Sequence, residues 1–310
     1  MLRPTLAAPG AASGQATRVA RAIRLSYFGV FGKAAIGASN RVKFRLVDLS
    51  TYSTLHFERE GRLLRAAFNR PETLNAINRV AHDEIARFFT ELAVDPLTDV
   101  VILSGVGRAF SAGGDLDHIQ RMIDDPCAFL DDIPNVKRVV FGMLDCPKPI
   151  IAKLNGHAIG LGATIALLCD VIFAAPTAKI GDPHVKVGFA AGDGGAVIWP
   201  HLIGHARAKE YLMTGRLLTA EEAERIGLIN HVVPAEDLDR VVDAFAQELL
   251  GGAMRAIQWT KLAVNIGLKQ LAHSVLDASV AFEALSNVSA DHSEAVQAMR
   301  EKRPPKFTGK

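Results

Sequence analysis

Cysteine is scarce in this chain: three in 310 residues, Cys127, Cys146 and Cys169, with no C-x-x-C pair among them. An odd count without paired spacing excludes a disulfide framework and a zinc knuckle, and it suits a reducing compartment. No G-x-x-x-x-G-K-[ST] loop occurs, and "GLGATI" from Gly160 stops short of G-x-G-x-x-G. Neither a nucleotide-phosphate loop nor a dinucleotide fingerprint is present. Long apolar runs are missing too. The most apolar stretch, "AIGLGATIALLC" at Ala158–Cys169, falls short of the ~20 residues that cross a bilayer, so no membrane span is expected. The histidines show no metal-ligand spacing, and no metal is expected. Acids are absent from residues 1–47, which hold eight Lys or Arg; the rest of the chain carries 27 bases against 33 acids. The overall charge of +2 therefore hides a mildly acidic remainder. A nucleic-acid reader would concentrate basic charge in its folded part, so that class is excluded.

What is present begins with a basic extension over residues 1–50, rich in Ala, Gly and Arg. Two readings stay open. It is a mitochondrial-type transit peptide, or an unstructured extension, including an upstream start codon chosen in error. The first implies the mitochondrial matrix, the second the cytoplasm. From Thr54 the pattern becomes structured. "TLHFERE" and "RLLRAAF" read as strands joined at Glu60-Gly61. "NRVAHDEIARFFTELAVDP" reads as a helix, with Asn78 as N-cap and Ile85, Phe88, Phe89 and Leu92 at helical spacing. "DVVILSG" and "KPIIAKLNG" read as strands, "GATIALLCD" as a buried helix and "VIFAA" as a strand. "TAEEAERIG" carries a capping box, with Thr219 followed three positions later by Glu222. The later segments are amphipathic helices. The expected organisation is an α/β core over 51–233 and a helical region over 234–310.

Two glycine-rich stretches carry chemistry. "GRAFSAGGDL", Gly107–Leu116, follows a strand, and "LNGHAIGLGATIAL" runs from a strand straight into a helix. Glycines allow close backbone approach, and amides at a helix start point outward with the positive end of the dipole. Two such amide sources together can hold one developing oxyanion. Either cluster alone is an ordinary tight turn. A third stretch, "KIGDPHVKVGFAAGDGGAVIWP", places His184 and Asp193 among five glycines.

In order, "NRPETLNAI", "RAFSAGGDL", "NGHAIGLGATIALLCDV" and "GDPHVKVGFAAGDGG" closely resemble the crotonase superfamily, the enoyl-CoA hydratase/isomerase family. "YLMTGRLLTAEEAERIGLINHVVP" and "AMREKRPPKF" fit it as well, so the resemblance covers roughly residues 52–307. It implies a crotonase-like spiral of β-β-α repeats with a helical C-terminal trimerisation region, hence a homotrimer or hexamer. It implies an acyl-CoA substrate, with no tightly bound cofactor and coenzyme A present only as part of the substrate. The oxyanion hole carries over to the backbone amides of Gly114 and Leu161. Leu74, Ala76, Asp115 and Leu116 would lie along the CoA, and Lys302 would approach its phosphate. At the family's two glutamate positions stand Thr164 and His184. Thr164 can orient a water but is no base at neutral pH; neutral His184 can be one, since its reference pKa is ~6.5. A His184–Asp193 pair activating water is one expectation. The other is that His184 shapes the acyl pocket and Asp193 caps the next helix. The functions these imply are water addition to a 2-enoyl-CoA, or alternatively hydrolysis or isomerisation using His184 and Asp193. A catalytically impaired acyl-CoA binder is the third.

Overall fold

A computed structural model describes residues 47–310 of the chain. The basic extension expected over 1–50 falls almost wholly outside these residues. Strands β1 (Leu55–Glu60) and β2 (Leu63–Phe68) pair antiparallel across Gly61 and Arg62. Helix α1 (Arg79–Val94) follows. Asn78 caps it by accepting from the Ala81 amide at 2.9 Å, and Ile85, Phe88, Phe89 and Leu92 are all buried. The apolar stripe at helical spacing thus becomes the core-facing stripe.

After α1 the chain repeats one pattern. Strand β3 (Val100–Gly105) and short β4 (Ala109–Ser111) lead into helices α2 (Leu116–Asp124) and α3 (Pro126–Asp145). Strand β5 (Ile150–Leu154) and short β6 (His157–Ile159) lead into α4 (Leu161–Leu167). Strand β7 (Val171–Ala174) and short β8 (Lys179–Gly181) complete the next turn. Each turn gives one strand to each of two sheets. The larger has the order β1-β2-β3-β5-β7-β10, the smaller β4-β6-β8-β9. This is the spiral of β-β-α turns that the resemblance implied. Parallel neighbours β3, β5 and β7 are covered on both faces, so they read as continuous apolar runs such as "VVIL" and "IIA".

Helices α5 (Gly195–Ile203) and α6 (His205–Thr214) precede β9 (Leu218–Thr219), α7 (Ala220–Arg225) and β10 (His231–Val232). The capping box on α7 forms by half. Thr219 accepts from the Glu222 amide at 3.2 Å, while the Glu222 carboxylate turns away to Tyr211 and Arg216. The chain ends in α8 (Leu238–Gly251), the long α9 (Met254–Asn287) and α10 (Ala290–Arg300). Helix α3 escaped the sequence reading because Pro134 lies inside it. Proline ordinarily breaks a helix interior, yet here the turn around it holds. Among the described residues no helix is long and apolar enough to cross a membrane.

Candidate active site

Backbone geometry comes first. The segment Leu74–Ile77 is laced to Ala112–Asp115. The Ala112 amide donates to Leu74 (3.0 Å), Ile77 to Gly113 (2.7 Å) and Asp115 to Ile77 (3.1 Å). Leu74 and Asn75 both hold positive φ, 56° and 58°. Such backbone persists only where its surroundings over-determine it. Asn75 supplies that support. Its buried side-chain amide donates to the carbonyls of Val106 and Ala109 and accepts from the Arg70 amide. Ser111 adds a bond to the Asn75 carbonyl at 2.8 Å and accepts from the Gly113 amide. In this lattice Gly114 is passed over: among the described residues its N–H meets no acceptor. Leu161 is the first residue of α4, where no preceding carbonyl can reach its N–H and no side chain caps the turn. Gly114 and Leu161, both with amides left free of protein acceptors among the described residues, line one cavity of about 630 Å³.

His184, Asp193 and Glu283 line the same cavity. His184 opens a 3₁₀ turn, His184–Val187, and its Nδ1 meets the Asp182 carboxylate in a very short contact. Its Nε2 lies 3.5 Å from Asp193 Oδ2 and 3.8 Å from Glu283 Oε1. Both separations exceed a direct hydrogen bond. Asp193 Oδ1 accepts from the Thr164 hydroxyl at 3.1 Å. The glycines of "GDGG" make room for these carboxyls. A Cβ on Gly192 would sit 2.7 Å from Glu283 Oε2, and one on Gly195 would collide with Asp182 Oδ2.

Burial costs the charged form of each member, and their mutual fields decide the outcome. For His184, burial opposes the imidazolium, but the carboxylates of Asp182 and Asp193 outweigh it and hold its pKa well above the ordinary histidine value. Burial drives the Glu283 carboxyl well above the carboxylate range, with Asp193 adding to the rise. Burial raises Asp193 as well, against the pull of His184. Each of the three shifts is in the direction that favours the protonated form. One sequence expectation took His184 as a neutral base; the carboxylates around it favour the imidazolium form instead.

Other expected residues divide. Ala76, Asp115 and Leu116 line the cavity; Leu74 and Lys302 are not among its lining residues, though Arg300 is. The Asp115 side chain caps α2, accepting from the Asp117 and His118 amides, and meets Arg70 at 3.1 Å. Thr164 is fully buried and touches Asp193, so it is not placed to hold a cavity water itself. Gly194 holds the N-cap position of α5 and has no side chain to cap it, while the Asp193 carboxylate just before it is stabilised by the Gly195 backbone amide at the helix start. Sequence reasoning missed Asp182 and Glu283. It also passed over His82, His118 and Asp132, which share the cavity.

Comparison with known proteins decides the lineage. Residues 58–310 match the family model described as enoyl-CoA hydratase/isomerase. The chain belongs to the enoyl-CoA hydratase/isomerase family. It is 37% identical over 260 residues to "Probable enoyl-CoA hydratase echA8" of Mycobacterium tuberculosis, covering 83% of this chain and 99% of that protein. Its structure is similar to a crystal structure of an enoyl-CoA hydratase/isomerase from Mycobacterium paratuberculosis, with TM-score 0.76 and 35% identity over 79% of this chain and 97% of that one. It is also similar to a β-diketone hydrolase from the cyanobacterium Anabaena, with TM-score 0.73 and 25% identity over 81% and 98% of the two chains. The family implies an acyl-CoA substrate, and at the two positions where the resemblance implied glutamates this chain carries Thr164 and His184.

Proposed function

We propose that the protein adds water across the 2,3-double bond of an enoyl-CoA thioester. The observation that carries this reading is the proton-holding cluster His184–Asp193–Glu283 on the cavity that also bears the free amides of Gly114 and Leu161. The thioester oxygen sits on the two amides. As hydroxide character builds at C3, charge moves to that oxygen, and the amides stabilise it where it develops. A water seated among His184 Nε2, Asp193 and Glu283 loses its proton to the Asp193 carboxylate and bonds to C3. Glu283, which holds its proton, delivers it to C2. Asp193 then returns the captured proton to Glu283 through His184 Nε2. Asp182 fixes the imidazole from behind and takes no proton from substrate. No step needs a metal or a second coenzyme; CoA enters as part of the substrate.

Crotonyl-CoA is the test. The wild-type protein is expected to remove the absorbance of the conjugated thioester while leaving the thioester intact. An unchanged spectrum for crotonyl-CoA and longer enoyl-CoA thioesters would defeat the hydration reading. The likeness to a β-diketone hydrolase, together with a His–Asp pair, favours hydrolysis as the second reading. Release of free CoA, or cleavage of a 1,3-diketone, would mark that outcome.

A homotrimer, alone or paired into a hexamer, is part of the proposal. Helix α9 exposes Trp259, Val264, Ile266, Phe282 and Leu285, each more than half accessible in the single chain. Several large apolar side chains left exposed on one helix point to an interaction site. Light scattering at micromolar concentration is expected to give three chains or a multiple of three. A monomer would contradict it.

A further inference from the structure

Ser111, at the end of β4, is fully buried and is not among the residues lining the cavity, so the proposed chemistry gives it no part. Yet it touches both halves of the proposed oxyanion hole. On the Gly114 side its hydroxyl donates to the Asn75 carbonyl at 2.8 Å and accepts from the Gly113 amide at 3.2 Å. On the Leu161 side it meets Gly162, the second residue of α4. A Cβ on Gly162 would lie 2.7 Å from Ser111 Cβ and 2.8 Å from its Oγ, so there is no room between them for even a methyl group. A second close approach lies beside the first. A Cβ on Gly113 would lie 2.7 Å from the Ile159 carbonyl oxygen. Beneath both contacts β4 and β6 run parallel, with Ser111 opposite Ala158.

The direction of each amide is set by the carbonyl of its own peptide. In a trans peptide the N–H and the C=O point opposite ways. The Gly113 carbonyl accepts from the Ile77 amide at 2.7 Å, so the Gly114 N–H points away from Ile77. The Gly160 carbonyl accepts from the Thr164 amide at 3.0 Å, so the Leu161 N–H points out of the start of α4. These bonds fix two directions but not the distance between the two peptides. Both donors must come within roughly 2.7–3.1 Å of one point to stabilise one oxyanion, so the distance matters as much as the directions. The contact of Ser111 with Gly162 supplies it. Without the hydroxyl, the Asn75 carbonyl and the Gly113 N–H would lose a partner beside backbone that Asn75 holds at a φ of 58°.

We propose that Ser111 is a positioning residue: wedged between the Asn75 and Gly113 backbone and Gly162, it sets the separation at which the amides of Gly114 and Leu161 together meet one thioester oxygen. It acts through those two peptides and does not touch substrate. This inference rests on reading the two amides as an oxyanion hole, and it holds whether the reaction is hydration, hydrolysis or isomerisation.

The test reads the polarisation of a bound thioester directly. In 4-(dimethylamino)cinnamoyl-CoA the amino group pushes electrons toward the thioester carbonyl, and the absorbance maximum moves to longer wavelength as charge on that oxygen is stabilised. Binding to the wild-type protein should produce this red shift. In Ser111→Ala the shift should shrink by about half, because two donors no longer converge on one point. Kd for the probe should stay within about threefold, since the rest of the thioester binds as before. On any thioester that the wild type turns over, kcat should fall about 10–10²-fold with KM little changed, the cost of a small misplacement. Ser111→Cys, whose thiol donates and accepts weakly from the same place, should recover part of the shift. Gly162→Ala keeps the serine and forces α4 away from it, so it should show the same loss, and it serves if Ser111→Ala fails to fold. A wild-type shift that survives in Ser111→Ala and Gly162→Ala overturns the assignment and leaves the oxyanion hole standing. A Kd that weakens in step with the shift would make Ser111 merely structural and overturn it too. A probe that binds the wild type without any shift strikes the oxyanion hole itself, and this assignment with it.

Discussion

Asp193→Asn should lower the turnover of the enoyl-CoA that the crotonyl series identifies by about 10²–10⁴-fold, the usual worth of a positioned acid or base. KM should change little, because the amides of Gly114 and Leu161 still hold the thioester. His184→Ala should fall in the same range, since it removes the only route that returns the proton from Asp193 to Glu283. The two residues touch one another across 3.5 Å, so their effects should not add. A double variant no slower than the worse single variant would place them in one unit. Thr164→Val should be milder, about tenfold, because it removes one hydrogen bond to the carboxylate and no proton carrier. Retention of near-full turnover by Asp193→Asn would end the assignment of Asp193 as base. In the pH profile of kcat/KM the acid limb should report loss of the Asp193 carboxylate. The alkaline limb should report loss of the retained protons, and it should lie well above the ordinary histidine value.

Glu283→Gln gives the second large effect, and it separates catalysis from stability. Turnover should again fall by about 10²–10⁴-fold, as the proton for C2 is lost. Stability should respond in the opposite sense at high pH. The folded-state values of both Glu283 and His184 lie above their unfolded values of 4.5 and 6.5. Between unfolded and folded values the native protein binds more protons than the unfolded chain, so stability falls as pH rises through that window. For Glu283 the window opens at 4.5, for His184 at 6.5. Glutamine has no proton to lose, so the alkaline decline should flatten. Its amide adds a penalty for an unpaired buried group, ~1–3 kcal/mol, but that penalty is the same at every pH. The readout is therefore the slope of Tm against pH, not Tm itself. Each kcal/mol recovered at alkaline pH should appear as ~2–4 °C for a chain of this size. An unchanged slope would mean that Glu283 is ionised in the native state and cannot be the acid.

What the sequence disclosed followed from how local each feature is. Alternation in β1, the stripe of α1 and the apolar runs of β3, β5 and β7 are set by neighbours a few residues away, and each reappears in the structure. The short strands β4, β6 and β8 are three residues long, too brief for a period to register, and they were legible only as glycine motifs. The glycine-rich turns suggested free N–H groups in general, but the amides of Gly114 and Leu161 were picked out by the family resemblance. Glu283 could not. In "AFEALSNV" a glutamate reads as the solvated face of an amphipathic helix, and only the register of α9 against the Gly192 loop buries it. Asp182 looked like a turn residue before proline. His118 and Asp132 are fourteen positions apart, on different helices, and meet only through the packing of α2 against α3. The protonation of His184 was illegible for the same reason: it is a property of three carboxyls that converge from separate segments.

Helix α9 has one more implication. Phe282, exposed, and Glu283, buried in the cavity wall, are consecutive residues on the same turn, and Leu285, also exposed, follows at once. One side of that turn is chemistry and the other is open apolar surface. A neighbouring chain that seats on Phe282 and Leu285 would press on the very turn that sets where the acid points. Quaternary contact and reactivity would then rise and fall together, so the working unit of this enzyme would be its assembly, with an isolated chain holding a complete set of groups in a wall that nothing braces from behind.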